Sequence, residues 1–299
     1  MSRDPDEFVA DDWATLQQLL YRDSWNEELG RHRSPYVFRG VSDSGRGLRT
    51  SLQRFVGDSE RWDLEHHLLR NFRQYARQEI DRPESPFHLM ALAQHHGLPT
   101  RLLDWTHSPA VAAYFAAGGP PDADGVVWAV DYERVHERLP ERFRTFLDEH
   151  GADLFSAAML NDLLSLVIDR DSRADRGTDR TADVELDIGE RQSLPTVELK
   201  AVLAAFSEGT DDHVVFFQPP SIDQRIVNQA ALFSAASNPR TSLDAWFDEH
   251  PDLAWKIVVP AARKREFRDK LDQSNINHRT LFPDLDGIAT WLTEYYRPR

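Results

Sequence analysis

Six short apolar segments, most of them rich in aromatic and β-branched residues, lie far apart along the chain, and this spacing most constrains how it can fold. They are residues 34–40, 101–105, 124–131, 213–220, 225–235 and 255–260, of which the fifth has a mixed strand and helix pattern. Helical patterns fill most of the intervals, so a sheet must be assembled from distant segments. We therefore predict an α+β fold with a mixed, mainly antiparallel sheet core flanked by helices.

Helical periodicity and capping residues predict where the helices lie. Helical patterns cover residues 12–22, 62–80, 87–96, 110–117, 133–170, 194–206, 265–273 and 281–292. Ser108 and Pro109 are typical of an N-cap and a first helical turn, and Gly97 is typical of the residue that follows a helix. We predict an N-terminal helical segment over residues 1–29 and a single domain over 30–299, with a mobile charged loop near 171–191.

Composition excludes several classes of protein. The 299 residues carry a net charge of −15 and include no cysteine, which excludes disulfides, thiolate metal sites and a cysteine nucleophile. The acidic balance disfavours general nucleic-acid binding. Since the sequence contains neither an apolar run of bilayer length nor the layout of a secretory signal, we expect a cytoplasmic protein without membrane contact.

Residues 31–55 form a locally basic belt within this acidic chain. Such a belt is either a solvated face or a site for an anionic ligand such as a nucleotide. Within it, Arg39 ends a predicted strand and precedes Gly40, so its planar guanidinium group can approach a phosphate closely. The alternative for Arg39 is a structural ion pair with a carboxylate.

Polar residues also lie among apolar ones in and around the second predicted strand. Asp104 needs hydrogen bonds or a cation in such a strand, so it either braces the preceding turn with Arg101 or acts as an acid or base. Glu65 is a second candidate carboxylate, for which an exposed helix surface is the alternative. Thr106 and Ser108 stand where the strand leads into a helix, and hydroxyl groups there either cap the helix or bind a polar ligand.

Two further polar residues are candidates. His95 ends a helix beside His96, but adjacent histidines do not share a helix face and no zinc-binding spacing is present, so no metal is predicted. A hydrolase that pairs His95 with Asp104 lacks an evident nucleophile. Gln229 lies inside an otherwise apolar predicted strand and must find hydrogen-bond partners, so we expect it to face a site or a buried network.

Four motifs carry a resemblance to a known family. They are Phe38-Arg39-Gly40, the sequence QHHGLPTRLLDWT at residues 94–106, the Arg225-Ile226 segment that continues to Phe233, and LFPDLDG at residues 281–287. Together they resemble the FRG-domain family over roughly residues 30 to 296. This resemblance implies a family but no defined reaction.

The order of the polar residues is also similar to that in ADP-ribosyltransferases. These enzymes place an Arg or His at the end of the first core strand, a Ser/Thr-x-Ser where a later strand enters a helix, and a catalytic Glu on a final strand. Arg39, Thr106 with Ser108, and Gln229 occupy these places in order. Glutamine cannot act as a general base, so Glu65 or Asp104 would supply the carboxylate, or the site would bind without turnover.

This second resemblance implies an ADP-ribosyltransferase-like fold and a set of site residues. Arg39 would hold the pyrophosphate of NAD, and Thr106 and Ser108 would order its ribose and nicotinamide. The predicted catalytic residues are Arg39, Thr106, Ser108, Gln229 and Glu65, and the predicted ligand-binding residues are Arg39, His95, Arg101, Asp104 and Thr106.

Two hypotheses about function follow from these predictions. The first is an enzyme that acts on NAD or a related nucleotide, as a toxin or phage-defence effector, with a protein or nucleic acid as the acceptor and an antidote protein as a partner. The second is a non-catalytic module that senses a nucleotide or binds a partner.

Overall fold

The computed structural model describes residues 5–78, 85–174, 199–209, 211–220 and 223–297. Within these ranges the strands are β1 (Asp6–Val9), β2 (Trp25–Asn26), β3 (Arg31–His32), β4 (Tyr36–Val41), β5 (Leu102–Thr106), β6 (Gly125–Asp131), β7 (Phe155–Ser156), β8 (Val214–Gln218), β9 (Ala231–Ala236) and β10 (Ala254–Val259).

The α-helices in the same ranges are α1 (Trp13–Leu20), α2 (Ser51–Val56), α3 (Leu64–Tyr75), α4 (Pro86–His95), α5 (Pro109–Ala116), α6 (Tyr132–His136), α7 (Glu141–His150), α8 (Ala157–Ala174), α9 (Leu199–Phe206), α10 (Gln224–Asn228), α11 (Leu243–Glu249), α12 (Ala261–Gln273), α13 (His278–Leu281) and α14 (Leu285–Tyr295). Short 3-10 helices span Ser44–Arg46, Gly57–Ser59, Ala76–Gln78 and Pro251–Leu253. None of the helices in the described ranges has both the length and the hydropathy needed to cross a bilayer.

Eight strands form one sheet in the order β1-β10-β6-β4-β5-β9-β8-β7. The two edge strands, β1 and β7, pair in parallel with their neighbours, and the other neighbouring strands pair antiparallel. The predicted fold class, a mainly antiparallel sheet flanked by helices, is therefore confirmed. β2 and β3 form a separate two-stranded antiparallel sheet.

Some elements differ from the sequence prediction. The short strands β1, β2, β3 and β7 were not predicted, and β1 adds a strand to the segment that was expected to be helical over residues 1–29. α8 continues to Ala174, so the first four residues of the predicted mobile loop are helical, while the remainder of that loop lies outside the described residues. The division into an N-terminal segment and one domain stays a prediction.

Apolar residues cover both faces of the sheet. On one face, helices α1, α5 and α12 pack against the β10-β6-β4 side, and α4, α8 and α9 pack against the β5-β9-β8 side. α6 and α11 cover the opposite face. Because the sheet has helices on both sides, side chains on both faces of β5, β6, β8 and β9 are buried, and the exceptions are Asp104 in β5 and Gln218 in β8, which are exposed, and Ala231 in β9, which is partly buried.

Gly40 lets α5 approach the centre of the sheet. A Cβ atom at Gly40 would lie 1.9 Å from the carbonyl oxygen of Ala112 and 2.7 Å from the amide nitrogen of Ala116, both in α5. Any larger residue would therefore push this helix away from β4. β4 pairs with β6 along six residues but with β5 only through Phe38 and Thr106. The sheet is thus weakly joined between β4 and β5.

Candidate active site

A cavity of about 120 Å³ lies between β4 and β5, next to the single pair that joins them. Its polar lining comes from four elements: β4, α2, the C-terminal end of α4 and β5. The lining includes Arg39, Ser51, Arg54, Gln94, Leu98 and Asp104. We call this cavity the cleft.

Arg39 reaches into the cleft from β4. Its Nη1 donates a hydrogen bond of 2.5 Å to the backbone carbonyl of Asp104 and lies 3.8 Å from a carboxylate oxygen of the same residue. Its Nε is buried and has no hydrogen-bond partner within the described part of the chain. Burial lowers the pKa of Arg39, the nearby Arg54 lowers it further, and Asp104 opposes both effects. Arg39 is thus a charged group whose hydrogen-bonding capacity is only partly used.

Arg54 adds a second positive charge to the cleft. It is exposed on α2, where its Nη1 donates to the carbonyl of Arg49. A capping box at Thr50 and Gln53 fixes the first turn of α2, and Gln53 also donates to the carbonyls of Pro239 and Thr241. The helix that carries Arg54 is therefore anchored at its start, and Arg54 itself is exposed and lines the cleft.

A chain of hydrogen bonds holds Asp104 at the rim of the cleft. The Thr100 hydroxyl accepts from the amide of Leu102 and donates to Oε1 of Gln94. Nε2 of Gln94 then donates to Oδ1 of Asp104 over 3.0 Å. The Asp104 side chain is 61% exposed. Although it lies in an apolar strand, its carboxylate is solvated, and it does not brace a turn with Arg101.

Thr106, Ser108 and Gln229 meet at a corner beyond the cleft. The Thr106 hydroxyl donates to the Gln229 carbonyl over 2.6 Å and accepts from the Ser108 amide over 2.9 Å. The Ser108 side chain caps α5, and Pro109 is its first residue, as predicted. Nε2 of Gln229 donates to the Leu281 carbonyl. These side chains are engaged with the backbone, and none of the three lines the cleft.

The placement of Gln229 corrects an expectation from the sequence. Gln229 was expected within a strand, but it follows the short helix α10. The reason is Asp223, whose side chain accepts from the amides of Arg225 and Ile226 and so starts a helix. Ala230 then takes a positive φ of 44° before β9 begins.

Glu65 and Arg101 form a buried ion pair away from the cleft lining. Glu65 is 2% exposed, so its expected alternative as an exposed helix residue is wrong. Nε of Arg101 donates to both carboxylate oxygens over 2.9 Å, and Nη2 forms a further short bond to Glu65. Nη1 donates to the carbonyls of Ala236 and Ser237 at the end of β9. This pair ties α3 to β5 and β9.

His95 lies at the end of α4 and pairs with Asp223. Its Nε2 is 2.7 Å from the Asp223 carboxylate, which also caps α10. Burial lowers the pKa of His95, and Asp223 opposes this effect. His95 thus links two helices and does not line the cleft. The described residues contain no group of three or more side chains suited to hold a metal ion.

A second cavity, of about 640 Å³, lies beside α11 and is chemically different. Its lining carries three carboxylates, from Asp211, Asp212 and Glu249, and the guanidinium group of Arg138. Arg138 is already paired with Asp252. This larger cavity is therefore acidic and repels an anionic ligand, and none of the residues predicted for the site lines it.

The structure thus brings Arg39 and Asp104 together in the cleft and places the other predicted residues around it. Sequence reasoning had not singled out Arg54, Gln94 or Ser51 as site residues. Arg54 lies in the basic belt at residues 31–55. This belt indicated a candidate site for an anionic ligand but did not indicate which arginine would line it. Gln94 begins the QHHGLPTRLLDWT motif, but only the fold shows that its amide contacts Asp104.

Comparison with known proteins matches one part of the chain to a family model. No curated protein and no solved structure is significantly similar to the chain. Residues 34–125 match the model of the FRG-domain family. This range includes β4, α2, α4, β5 and α5 and therefore all of the cleft, whereas the motifs after residue 225 lie beyond it. The chain carries an FRG domain over residues 34–125.

Proposed function

We propose that the cleft binds the phosphate of a nucleotide, with NAD as the principal ligand. The observation that carries this proposal is the pair of arginines in one cavity of a chain with a net charge of −15. Arg39 is partly buried with an unused Nε donor, and Arg54 is exposed beside it. Arginine is well suited to phosphate because its planar group donates two parallel hydrogen bonds.

The size of the cleft limits how much of the ligand it encloses. Cavities that bury a whole small ligand usually measure about 300–1,000 Å³. At about 120 Å³ the cleft is smaller and suits a phosphate group with the part of the ligand next to it. The remainder of a dinucleotide would lie on the surface outside β4 and β5.

Calorimetric titration with NAD and with ADP-ribose tests this binding. Hydrogen bonds to a charged group contribute about 1.5–3 kcal/mol, so Arg39→Gln and Arg54→Gln should each weaken binding about tenfold or more. Arg46→Gln is the matched control, because Arg46 belongs to the same basic belt, is 67% exposed and does not line the cleft. Equal affinity in wild type and Arg39→Gln would contradict the proposal.

The second candidate function is cleavage of the bound NAD, as in an ADP-ribosyltransferase or NAD glycohydrolase. It is favoured by the exposed Asp104 carboxylate, which lies in the same cleft as the two arginines. In this reaction nicotinamide leaves with both electrons of its bond to the ribose carbon. Water or an acceptor supplies the electron pair of the new bond. Asp104 would stabilise the developing positive charge and accept the proton that the nucleophile loses.

Nicotinamide release from NAD, followed by chromatography, tests this second function. General acid–base catalysis contributes about 10²–10⁴-fold, so Asp104→Asn should lower turnover at least about 100-fold and change NAD affinity much less. Assays with and without cell extract separate transfer to a protein or nucleic-acid acceptor from hydrolysis. Saturable NAD binding without turnover, both with and without cell extract, would favour the sensing module. Turnover of NAD would support the enzyme that was expected as a toxin or defence effector.

A further inference from the structure

We infer that the cleft selects a ribose phosphate over phosphate alone, because Asp104 accepts hydrogen bonds from the sugar hydroxyls. This inference rests on the proposed phosphate site and names the class of ligand that it takes. It is carried by the arrangement of one oriented carboxylate beside two arginines.

The carboxylate of Asp104 is held in place before any ligand binds. Oδ1 accepts from Gln94, whose amide is oriented by the Thr100 hydroxyl. The backbone carbonyl of Asp104 accepts from Arg39, which fixes the strand at this residue. An ionised carboxylate has about four acceptor positions, and the Gln94 bond uses one of them. Asp104 is therefore an oriented acceptor with capacity for hydroxyl donors.

An acid in this position disfavours an anion that has no donors of its own. Oδ2 lies 3.8 Å from Nη1 of Arg39, so a phosphate bound to Arg39 is close to a negative charge. A ligand with hydroxyl groups next to its phosphate can donate hydrogen bonds to the Asp104 carboxylate, and these bonds offset the repulsion. Carboxylates recognise ribose hydroxyls in the same way in dinucleotide-binding folds.

The same chemistry excludes a sugar whose hydroxyl groups are themselves phosphorylated. A second phosphate would replace a hydroxyl donor by an anion directly against the Asp104 carboxylate. Gln94, which donates to Asp104, has one side-chain amide group with which to offset this repulsion. The ligand class is thus a 5′-phosphorylated ribose with free 2′ and 3′ hydroxyls.

Titration of AMP, 2′-deoxy-AMP, 3′-deoxy-AMP and sulfate, a stand-in for phosphate without hydrogen-bond donors, into the full chain tests this inference. A hydrogen bond to a charged acceptor corresponds to about tenfold or more in affinity, so AMP should bind about tenfold tighter than at least one deoxy compound. In Asp104→Ala this ratio should fall to about one, while the affinity for sulfate stays equal or rises. Asp122→Asn, which changes an exposed carboxylate outside the cleft, should retain the wild-type ratio.

The outcomes separate this inference from the proposed function. Equal binding of AMP and both deoxy compounds by the wild type would overturn the ribose selection and leave the phosphate site intact. A parallel loss of affinity for every compound in Asp104→Ala would also overturn it, because Asp104 would then act only through the shape of the cleft. No binding of any compound by the wild type would remove the phosphate site and the inference together.

Discussion

Arg39 and Arg101 both lie within residues 34–125, which match the FRG-domain model, but their surroundings are opposite. Arg101 is 5% exposed and donates to Glu65 and to two backbone carbonyls. Arg39 borders an open cleft, donates one hydrogen bond to Asp104 and has a buried Nε without a partner in the described residues. Arg101 is therefore satisfied by the fold, whereas Arg39 is left with donors for another molecule.

This difference indicates how to assign roles to polar residues near a site. A buried charge with all its partners inside the fold holds elements together, and removing one partner leaves the other uncompensated. A charge held in position but not fully paired costs stability and persists where it serves binding. By this criterion Glu65, like Arg101, holds the fold together, and the uncharged hydroxyls of Thr106 and Ser108 also find their partners inside it. Asp104, like Arg39, keeps hydrogen-bonding capacity for another molecule.

The largest effect is expected for Glu65→Gln. This change leaves the Arg101 guanidinium group buried without its counter-charge, which costs about 3–5 kcal/mol in the free energy of unfolding. Urea unfolding followed by circular dichroism measures the loss. A double replacement, Glu65→Met with Arg101→Met, should recover most of it, since a buried ion pair can often be replaced by apolar side chains.

Asp63→Asn is the control for this prediction. Asp63 pairs with Arg61 on the surface, where both side chains are more than half exposed, and exposed pairs contribute little. Its effect on the free energy of unfolding should be much smaller than that of Glu65→Gln. If Glu65→Gln unfolds at the same urea concentration as wild type, the comparison between Arg101 and Arg39 fails at its first step.

The next effect concerns His136, which is satisfied in the same way as Arg101. Its Nδ1 contacts the Asp153 carbonyl and its Nε2 accepts from the Phe216 amide. Burial lowers the pKa of His136 from 6.5 to about 4. The neutral form is favoured in the fold, so its contribution is complete above pH 6.5 and is lost as the pH falls towards 4. The loss is on the order of 3 kcal/mol.

Unfolding measured between pH 7 and pH 4 checks this contribution. His136→Gln retains a donor and an acceptor but does not titrate here, so its stability should fall less steeply over this interval than that of wild type. Identical slopes in the two proteins would show that His136 does not carry the acid sensitivity.

Local signals explain what the sequence predicted correctly. β4 was recognised from its aromatic and β-branched residues, β5 from its apolar residues, and the start of α5 from Ser108 and Pro109. Each of these features depends on residues that are close to one another in the sequence. For the same reason Arg39 and Asp104 were identified as candidates from their positions at strand ends and in an apolar strand.

Distant partners explain what was missed. Glu65 meets Arg101 across 36 positions, and β1 pairs with β10 near the other end of the chain. No local pattern marks either contact. Gln229 is a different case, because Asp223 is a typical N-cap and could have indicated α10. The apolar pattern of this segment favoured a strand, although Asp223 before it indicated the start of a helix.

A smaller effect is expected for Ser108→Ala. The Ser108 hydroxyl caps α5 by accepting from the Val111 amide over 3.4 Å, and loss of such a cap costs about 1 kcal/mol. Thermal unfolding measures the change, and titration with AMP measures ligand affinity in the same variant. A loss of affinity without a comparable loss of stability would place Ser108 with the ligand-binding residues, in agreement with the resemblance to ADP-ribosyltransferases.

The smallest effect on stability is expected for Arg39→Gln, and it completes the comparison. Arg39→Gln removes one hydrogen bond to the Asp104 carbonyl and the attraction to the Asp104 carboxylate, but it also removes a buried charge that the nearby Arg54 repels. Because these contributions oppose one another, we expect the free energy of unfolding to change by less than about 0.5 kcal/mol or to rise slightly. Nucleotide affinity should fall about tenfold in the same variant, which urea unfolding and calorimetry together can establish. A loss of stability as large as that of Glu65→Gln would mean that Arg39, like Arg101, serves the fold.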